Sequence, residues 1–240
     1  MDEAHLRPAG QIAELRLSIP GESDEYARAR KELLADEIEL RRQHERIAEK
    51  RRALPSGPDI RKNYRFIDEN GQEVGLAELF GRHSTLFIYS WMFGPNRKRP
   101  CPMCTVFVGP LAANARDLMQ HMAVVVVGAS TVERQNAFAV ERGWRDLKFA
   151  QSIGDEFALD FQSLVPAPDG SGRWEVPAFA VFKKVGDAVR LFWASQFLHE
   201  FADPGQDHRG WTDLAPLWMM LDFTPDGRPP EWHAQLSYDR

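Results

Sequence analysis

The first third of the chain carries a thin apolar stripe on an otherwise polar background. Residues 22–53 are almost wholly polar, yet apolar side chains recur there at intervals of seven: Tyr26, Leu33, Leu40, Ile47 and Leu54. This spacing predicts one long helix that Ser23 caps, with acids in its first turn and bases in its last turn, as the helix dipole favours. Either the main domain or a second subunit covers the stripe, since paired helices use a seven-residue repeat.

From about residue 63 the pattern changes to short apolar runs that alternate with helical segments. The segment 84–91 contains the apolar run 86–89, and the segment 123–127 is apolar throughout. Such runs are typical of buried strands, and a helix is predicted after each. Further on, 178–182 and 188–193 read as the two strands of a hairpin. This order predicts an α/β domain, a mixed sheet with helices on both faces.

These patterns divide the chain into three regions. Residues 1–58 form a helical extension that ends in a Pro-rich linker, residues 59–200 form the α/β domain, and residues 201–240 form a C-terminal segment packed on that domain. Within the domain we expect an early hairpin around residues 64–74, a dithiol helix that runs to about Gln120, and a polar loop at 166–173. The last region contains a helix at 212–221.

Composition excludes several function classes. The net charge is −5 and the pI about 5.8, so the sequence has no general attraction to nucleic acid or to an anionic membrane. No apolar run reaches the roughly 18 residues of a spanning helix, and the first residues lack the parts of a signal peptide. We therefore expect a cytoplasmic protein without nucleic-acid or membrane partners, in which a lasting structural disulfide would be unusual.

The cysteine pattern is the sharpest chemical signal. The chain has only two cysteines, and they form the motif Cys101-Pro102-Met103-Cys104. A tetrahedral zinc site needs two more ligands, and the seven scattered histidines show no ligand spacing, so no metal or cofactor is expected. A redox pair, two buried unreactive thiols and a metal site are the alternatives, of which the redox pair is favoured.

The neighbours of Cys101 supply a physical reason for reactivity. Proline is favoured at the first position of a helix, so Pro102 makes Cys101 the N-cap residue. The sulfur then faces free backbone N–H groups and the positive end of the helix dipole, which lowers a thiol pKa. Arg97, Lys98 and Arg99 add positive charge nearby. Cys101 is thus the predicted nucleophile, and Cys104, one turn later, the resolving thiol.

Several short motifs run along the chain in an order that is specific as a set. They are ARKELL at 29–34, RRALP at 51–55, LAELF at 76–80, MFGP at 92–95, CPxC at 101–104, GW at 143–144, PGQD at 204–207, PLW at 216–218 and LDFTPDGR at 221–228. From about residue 26 to its end the chain thereby resembles the bacterial family called domain of unknown function 899. That family is thioredoxin-like and is regarded as a predicted dithiol-disulfide oxidoreductase.

The resemblance implies a thioredoxin-like fold and thiol-disulfide exchange with a protein or a small-molecule thiol or disulfide. It also implies a cis peptide bond at Pro177, facing the dithiol, with the backbone of Val176 left to pair with an extended substrate. Pro177 thereby joins Cys101 and Cys104 as a predicted catalytic residue, and Val176, Trp91 and Arg99 form the predicted substrate-binding set. A homodimer through the N-terminal helix is the assembly that the seven-residue stripe suggests.

Some residues depart from related patterns and keep other functions open. Pro100 precedes Cys101, where thioredoxins have Trp, and the loop before the dithiol is basic. Gly94 and Lys98 occupy two positions of the peroxiredoxin signature P-x-x-x-T-x-x-C, which is therefore absent. The alternatives are a non-catalytic binding or assembly module that keeps its dithiol reduced, and a peroxide-reducing thiol enzyme.

Overall fold

The structure is a computed structural model that describes residues 6–167, 169–195, 216–226 and 232–238. It divides into two compact units, Met1–Pro55 and Ser56–Arg240. Among the described residues, no helix combines the length and the apolar character that crossing a membrane requires.

The first unit is a pair of helices, α1 (Ala9–Ala13) and α2 (Asp24–Arg52). The hydroxyl of Ser23 accepts a hydrogen bond from the backbone N–H of Tyr26 at 3.2 Å, which caps α2 as predicted. The two helices pack together, and Ile38 is the buried residue of α2. The predicted long N-terminal helix is confirmed.

The seven-spaced stripe of α2 does not coincide with the face that α1 covers. Tyr26, Leu33, Leu40, Ile47 and Leu54 are all large apolar residues with more than a third of their surface exposed, from 37% at Ile47 to 58% at Leu40. Ile38, by contrast, is 5% exposed. The short α1 therefore leaves the stripe available, and its pairing with a second subunit stays a prediction of the spacing.

We predict that replacing Leu33 and Leu40 together with Glu splits a homodimer, because the charges would lie inside the paired stripe. The measurement is sedimentation of the variant against the unchanged protein. A variant that stays monomeric like the parent but unfolds at lower temperature would show instead that the stripe packs within one chain. A variant unchanged in both assembly and stability would refute both interpretations.

Nine strands lie in the described part of the second unit. They are β1 (Arg65–Ile67), β2 (Glu73–Gly75), β3 (Thr85–Ser90), β4 (Ala123–Gly128), β5 (Lys148–Ile153), β6 (Leu164–Pro166), β7 (Arg173–Glu175), β8 (Ala178–Val185) and β9 (Ala188–Ala194). The described helices are α3 (Pro102–Ala113), α4 (Ala115–Leu118), α5 (Val132–Glu141), α6 (Glu156–Asp160) and α7 (Pro216–Asp222), besides a 3₁₀ turn at Glu78–Phe80.

Seven strands form one mixed sheet in the order β2-β1-β5-β4-β3-β8-β9, and β6 and β7 form a separate antiparallel pair. Strands β3, β4 and β5 are parallel, whereas β8 runs antiparallel to β3 and β9 to β8. The helix that carries the dithiol connects β3 to β4. This β-α-β unit followed by an antiparallel hairpin is the thioredoxin-like arrangement, so the predicted fold class is confirmed.

The period of two along β3 explains how the sheet is covered on both faces. Phe87 and Tyr89 lie in a cluster with α3, while Leu86 and Ile88 lie in a second cluster on the opposite face. All four are 7% exposed or less, which is why this strand reads as one continuous apolar run. The core of the second unit is thus two layers that share the central strands.

Three details differ from the predicted elements. The dithiol helix does not run unbroken to Gln120: α3 ends at Ala113, where the non-helical Asn114 separates it from α4. The predicted polar loop at 166–173 is flanked by β6 and β7, whose pairing was not predicted because each strand has only three residues. The last helix begins at Pro216, and the part predicted at 212–215 falls outside the described residues.

Candidate active site

Cys101 is the N-cap residue of α3, and Pro102 is the first residue of the helix, as predicted. The carbonyl of Cys101 accepts hydrogen bonds from the backbone N–H of Thr105 at 3.1 Å and from its hydroxyl at 3.0 Å. The N–H of Cys101 donates to the carbonyl of Met92 at 3.0 Å. Hydrogen bonds therefore hold the backbone of Cys101 on two sides, to the first turn of α3 and to Met92, two residues after β3.

Cys104 occupies the same helical turn but a different environment. Its side chain is 1% exposed and lies in the cluster between α3 and the sheet, whereas Cys101 is partly exposed. The backbone N–H of Met92 donates to the Cys104 sulfur at 3.5 Å. Both cysteines are free thiols. Met92 thus contacts one cysteine through its carbonyl and the other through its N–H.

The two environments move the two pKa values in opposite directions. A hydrogen bond from the Cys104 thiol is the main cause that lowers the pKa of Cys101 to about 6, against the opposing effect of burial. The N–H groups of Cys104 and Met103 and the charge of Arg97 act in the same direction, although the sulfur forms no aligned capping hydrogen bond. Burial, and then Cys101 itself, raise the pKa of Cys104 well above the ordinary value of a thiol.

The predicted basic residues have different surroundings. Arg97 donates to Glu175 at 2.9 Å and is the one of the three whose charge lowers the pKa of Cys101. Arg99 instead pairs with Glu141, with one nitrogen–oxygen distance of 2.6 Å, and its guanidinium lies 4.9 Å from the ring centroid of Phe138. A substrate-binding role for Arg99 stays a prediction.

Trp91 lies inside the core rather than at the surface. It is 3% exposed, and its indole nitrogen donates to the side-chain oxygen of Gln135 at 3.0 Å. A substrate at the dithiol would meet little of this side chain. Little of the Trp91 surface is therefore accessible to a substrate, and the contact between them stays a prediction.

The cis peptide bond predicted before Pro177 is wrong. None of the peptide bonds among the described residues is cis. The trans form is the intrinsically favoured one at an X–Pro bond, by about 0.5–1 kcal/mol, and nothing in the local sequence had opposed it. The N–H of Val176 donates to the carbonyl of Ser163 at 3.0 Å, so this donor is already used within the chain. Substrate contact by Val176 and Pro177 stays a prediction.

Two residues of α5 that sequence reasoning missed organise the site. The guanidinium of Arg134 donates to the carbonyls of Pro95, at 3.3 Å, and Arg97, and it lies 4.9 Å from the ring centroid of Phe93. It thereby holds the loop that leads to the dithiol. No sequence pattern indicates this role, because Arg134 has the position of an ordinary exposed charge on an amphipathic helix.

Gln135 is the second missed residue, and it is fully buried. Its amide nitrogen donates to the carbonyls of Ser130 at 2.8 Å and Ala150 at 3.1 Å, while its oxygen accepts from Trp91. These bonds join the loop after β4 and the middle of β5 to Trp91, the residue that follows β3. A signal existed, because Gln135 shares the apolar face of α5 with Val132 and Phe138.

A cavity of about 460 Å³ lies beside the dithiol loop. It is lined by residues at the carboxyl ends of the parallel strands β3, β4 and β5, by the loop Gly94 to Arg97, and by residues of α6, β6 and β7. Ligands of open α/β sheets bind at this edge of parallel strands. Among the described residues, no cluster of three or more His, Cys, Asp or Glu side chains is arranged to hold a metal ion.

Solved structures resemble the chain over part of its length. They include a thiol peroxidase from Chromobacterium violaceum (13% identity, 70% of this chain and 87% of the other, TM-score 0.46) and a PrxQ variant from Xylella fastidiosa (11%, 59% and 84%, TM-score 0.45). A third is the peroxidoxin BcpB from Mycobacterium tuberculosis (16%, 54% and 79%, TM-score 0.42). None of the curated proteins matches the sequence. The family model described as "Bacterial protein of unknown function (DUF899)" matches residues 18–239, so the chain belongs to this family.

Proposed function

We propose that the protein is a thiol-disulfide oxidoreductase in which Cys101 attacks and Cys104 resolves. One observation carries this proposal: two thiols in a single helical turn have their pKa values moved apart, one to about 6 and the other well upwards. The thiolate is the nucleophile in disulfide exchange, so Cys101 is the thiol prepared to react at neutral pH.

The reaction is a two-step exchange. The Cys101 thiolate attacks one sulfur of a disulfide, the S–S bond breaks, and one thiol leaves with a proton from solvent. Cys104 then loses its proton and attacks the Cys101 sulfur, which releases the second thiol and closes an intramolecular disulfide. Two protein thiols are oxidised and one disulfide is reduced to two thiols, so the electrons balance without a cofactor.

One prediction of the proposed function concerns the pH dependence of cysteine alkylation. The rate at which iodoacetamide labels Cys101 should rise with pH through a midpoint of about 6, because only the thiolate reacts. Cys104 should label far more slowly at pH 7, since burial keeps it protonated. Competitive labelling followed by mass spectrometry measures both rates. A midpoint near 8.5, the value of an ordinary thiol, or faster labelling of Cys104 would support the non-catalytic module instead.

Arg97 provides a matched test of the electrostatic cause. Arg97→Gln should move the midpoint of Cys101 upwards, because it removes a positive charge that favours the thiolate. Arg116→Gln is the control: Arg116 also forms an ion pair with one carboxylate, that of Asp146, but it does not influence either cysteine. An equal shift in both variants would contradict this assignment.

The second prediction concerns the resolving step. With oxidised glutathione, the unchanged protein should release two glutathione molecules per chain and end with an intramolecular disulfide. Cys104→Ser should release one and keep the other on Cys101, because no second thiol remains to displace it. Intact-mass measurement without reductant distinguishes the two products, and Cys101→Ser is the control that should retain none. Persistent modification of Cys104 in that control would reverse the assigned roles.

A further inference from the structure

Two ion pairs line the cavity beside the dithiol loop. Arg97 bonds Glu175 through its Nε at 2.9 Å, and Arg173 bonds Asp155 through one terminal nitrogen at 2.8 Å. All four residues line the cavity. Two positive and two negative charges give its wall no net charge, but they place donors and acceptors side by side.

Each of these pairs leaves hydrogen-bonding capacity towards the cavity. A guanidinium carries five N–H donors, and the bond to each carboxylate uses one of them. Each carboxylate likewise has a second oxygen. The wall can therefore receive a carboxylate on the arginines and an ammonium group on Asp155 or Glu175. A volume of about 460 Å³ is within the usual range for sites of small molecules.

The cavity adjoins the loop that leads to the dithiol. Arg97 belongs both to its wall and to the charges that act on Cys101. Glu175 directly precedes Val176, and it lies so close to the loop that a Cβ at Gly94 would stand 2.7 Å from its carboxylate oxygen. A side chain at position 94 would displace this carboxylate. Arg97 therefore connects the wall of the cavity with the charge on Cys101.

We propose that this cavity binds the charged end of a small, amino-acid-derived disulfide, such as cystine, whose ammonium and carboxylate groups pair with Asp155 or Glu175 and with Arg173 or Arg97. The inference rests on the proposed exchange reaction and names its substrate class. In that reaction Cys101 attacks one sulfur of cystine and one cysteine leaves; Cys104 then displaces the second.

Cystine and bis(2-hydroxyethyl) disulfide provide the test, because the second has no charged groups. Arg173→Gln should lower the second-order rate of oxidation of the reduced protein by cystine about tenfold, the effect of one lost charge-assisted hydrogen bond, and leave the rate with the neutral disulfide within about twofold. Arg116→Gln should change neither rate. Unchanged iodoacetamide labelling of Cys101 in Arg173→Gln shows that the dithiol is intact.

The outcomes separate this inference from the function on which it depends. The cavity does not select charged disulfides if Arg173→Gln lowers the oxidation rate equally with both disulfides, or with neither. The same conclusion holds if Arg116→Gln lowers the rate with cystine as much as Arg173→Gln does. A protein substrate then becomes the better hypothesis. If the unchanged protein reacts with neither disulfide, the proposed function itself is overturned.

A different observation concerns the resolving thiol. Tyr89 is fully buried, and its hydroxyl has no aligned hydrogen-bond partner among the described residues. It lies in the same cluster as Cys104, on the face of β3 that α3 covers, with its ring 6.1 Å from that of Phe107 between centroids. A buried hydroxyl without a partner is costly, so its presence requires an explanation.

The surroundings of Cys104 supply that explanation. The hydroxyl of Tyr89 interacts with the Cys104 thiol, and this interaction lowers the pKa of Cys104 against the larger effect of burial. In the reduced protein the Cys104 thiol stabilises the Cys101 thiolate. Once Cys101 is in a mixed disulfide, Cys104 has to lose its own proton inside the core.

We propose that Tyr89 is a positioning residue that donates its O–H to the Cys104 sulfur as that sulfur becomes the attacking thiolate. Together with the N–H of Met92, 3.5 Å from the same sulfur, it gives the developing charge two donors. This inference also rests on the proposed exchange reaction, and it assigns the second step to a residue outside the dithiol motif.

The reaction with 5,5′-dithiobis(2-nitrobenzoate) resolves the two steps, because attack by Cys101 releases one coloured thiolate and attack by Cys104 releases a second. Tyr89→Phe should leave the first phase unchanged within about twofold, slow the second about tenfold, and move its pH profile upwards. Tyr64→Phe is the matched control, since Tyr64 is also buried but donates to Asp160 at 2.5 Å in the other cluster.

A purely structural role for Tyr89 would lower stability without moving the pH profile of the second phase. That result, or a second phase in Tyr89→Phe equal to that of the unchanged protein, overturns the assignment. An unchanged protein that never releases the second thiolate would instead contradict the resolving role of Cys104.

Discussion

The proposed chemistry depends on the placement of two sulfurs, one helical turn apart, in two different environments. Cys101 is partly exposed at the amino end of α3, where backbone N–H groups and Arg97 favour a negative charge. Cys104 is 1% exposed and surrounded by core side chains that disfavour one. Because burial penalises the charged form and hydrogen-bond donors stabilise it, the same functional group acquires two reactivities. In the reduced protein, the protonated Cys104 thiol donates the hydrogen bond that stabilises the Cys101 thiolate.

The rest of the second unit maintains that asymmetry. Gln135 links Trp91 to the loop after β4 and to Ala150 within β5 through buried hydrogen bonds. These bonds are strong constraints because their loss would leave several polar groups unpaired. This network requires close approach of the backbone, since a Cβ at Gly128 would stand 2.7 Å from the indole nitrogen of Trp91. Arg134 holds the following loop by its carbonyls. The residues between β3 and Cys101 are therefore fixed at both ends.

The sequence was informative where a local rule applies and uninformative where tertiary contacts decide. The continuous apolar strands, the helix capped by Ser23 and the N-cap position of Cys101 each follow from periodicity or from the proline after the cysteine, and the structure has them. The β6–β7 pair, the clamp of Arg134 and the tyrosine beside Cys104 depend on residues distant in sequence. The cis bond at Pro177 had been inferred from resemblance alone, with no local physical cause, and it was the inference that failed.

The pKa of Cys101 also bears on which direction of exchange the dithiol favours. A thiolate stabilised at pH 7 makes the reduced state more stable relative to the disulfide, so its disulfide is a stronger oxidant than one formed from ordinary thiols. The high pKa of Cys104 does not cancel this effect at neutral pH, because a neutral thiol in the core is the ordinary reduced state. The low pKa would make Cys101 a good leaving group only if the Cys104 sulfur were attacked, and that sulfur is buried. Starting from the intramolecular disulfide, an incoming thiol would attack the exposed Cys101 sulfur and break its bond to Cys104. The reverse path closes the disulfide again when Cys104 attacks the mixed disulfide, and this attack requires that Cys104 first lose its proton. In the proposed reaction, the balance between these two paths therefore rests on the buried donors at Cys104, and not on Cys101, to which the proposal assigns the first attack.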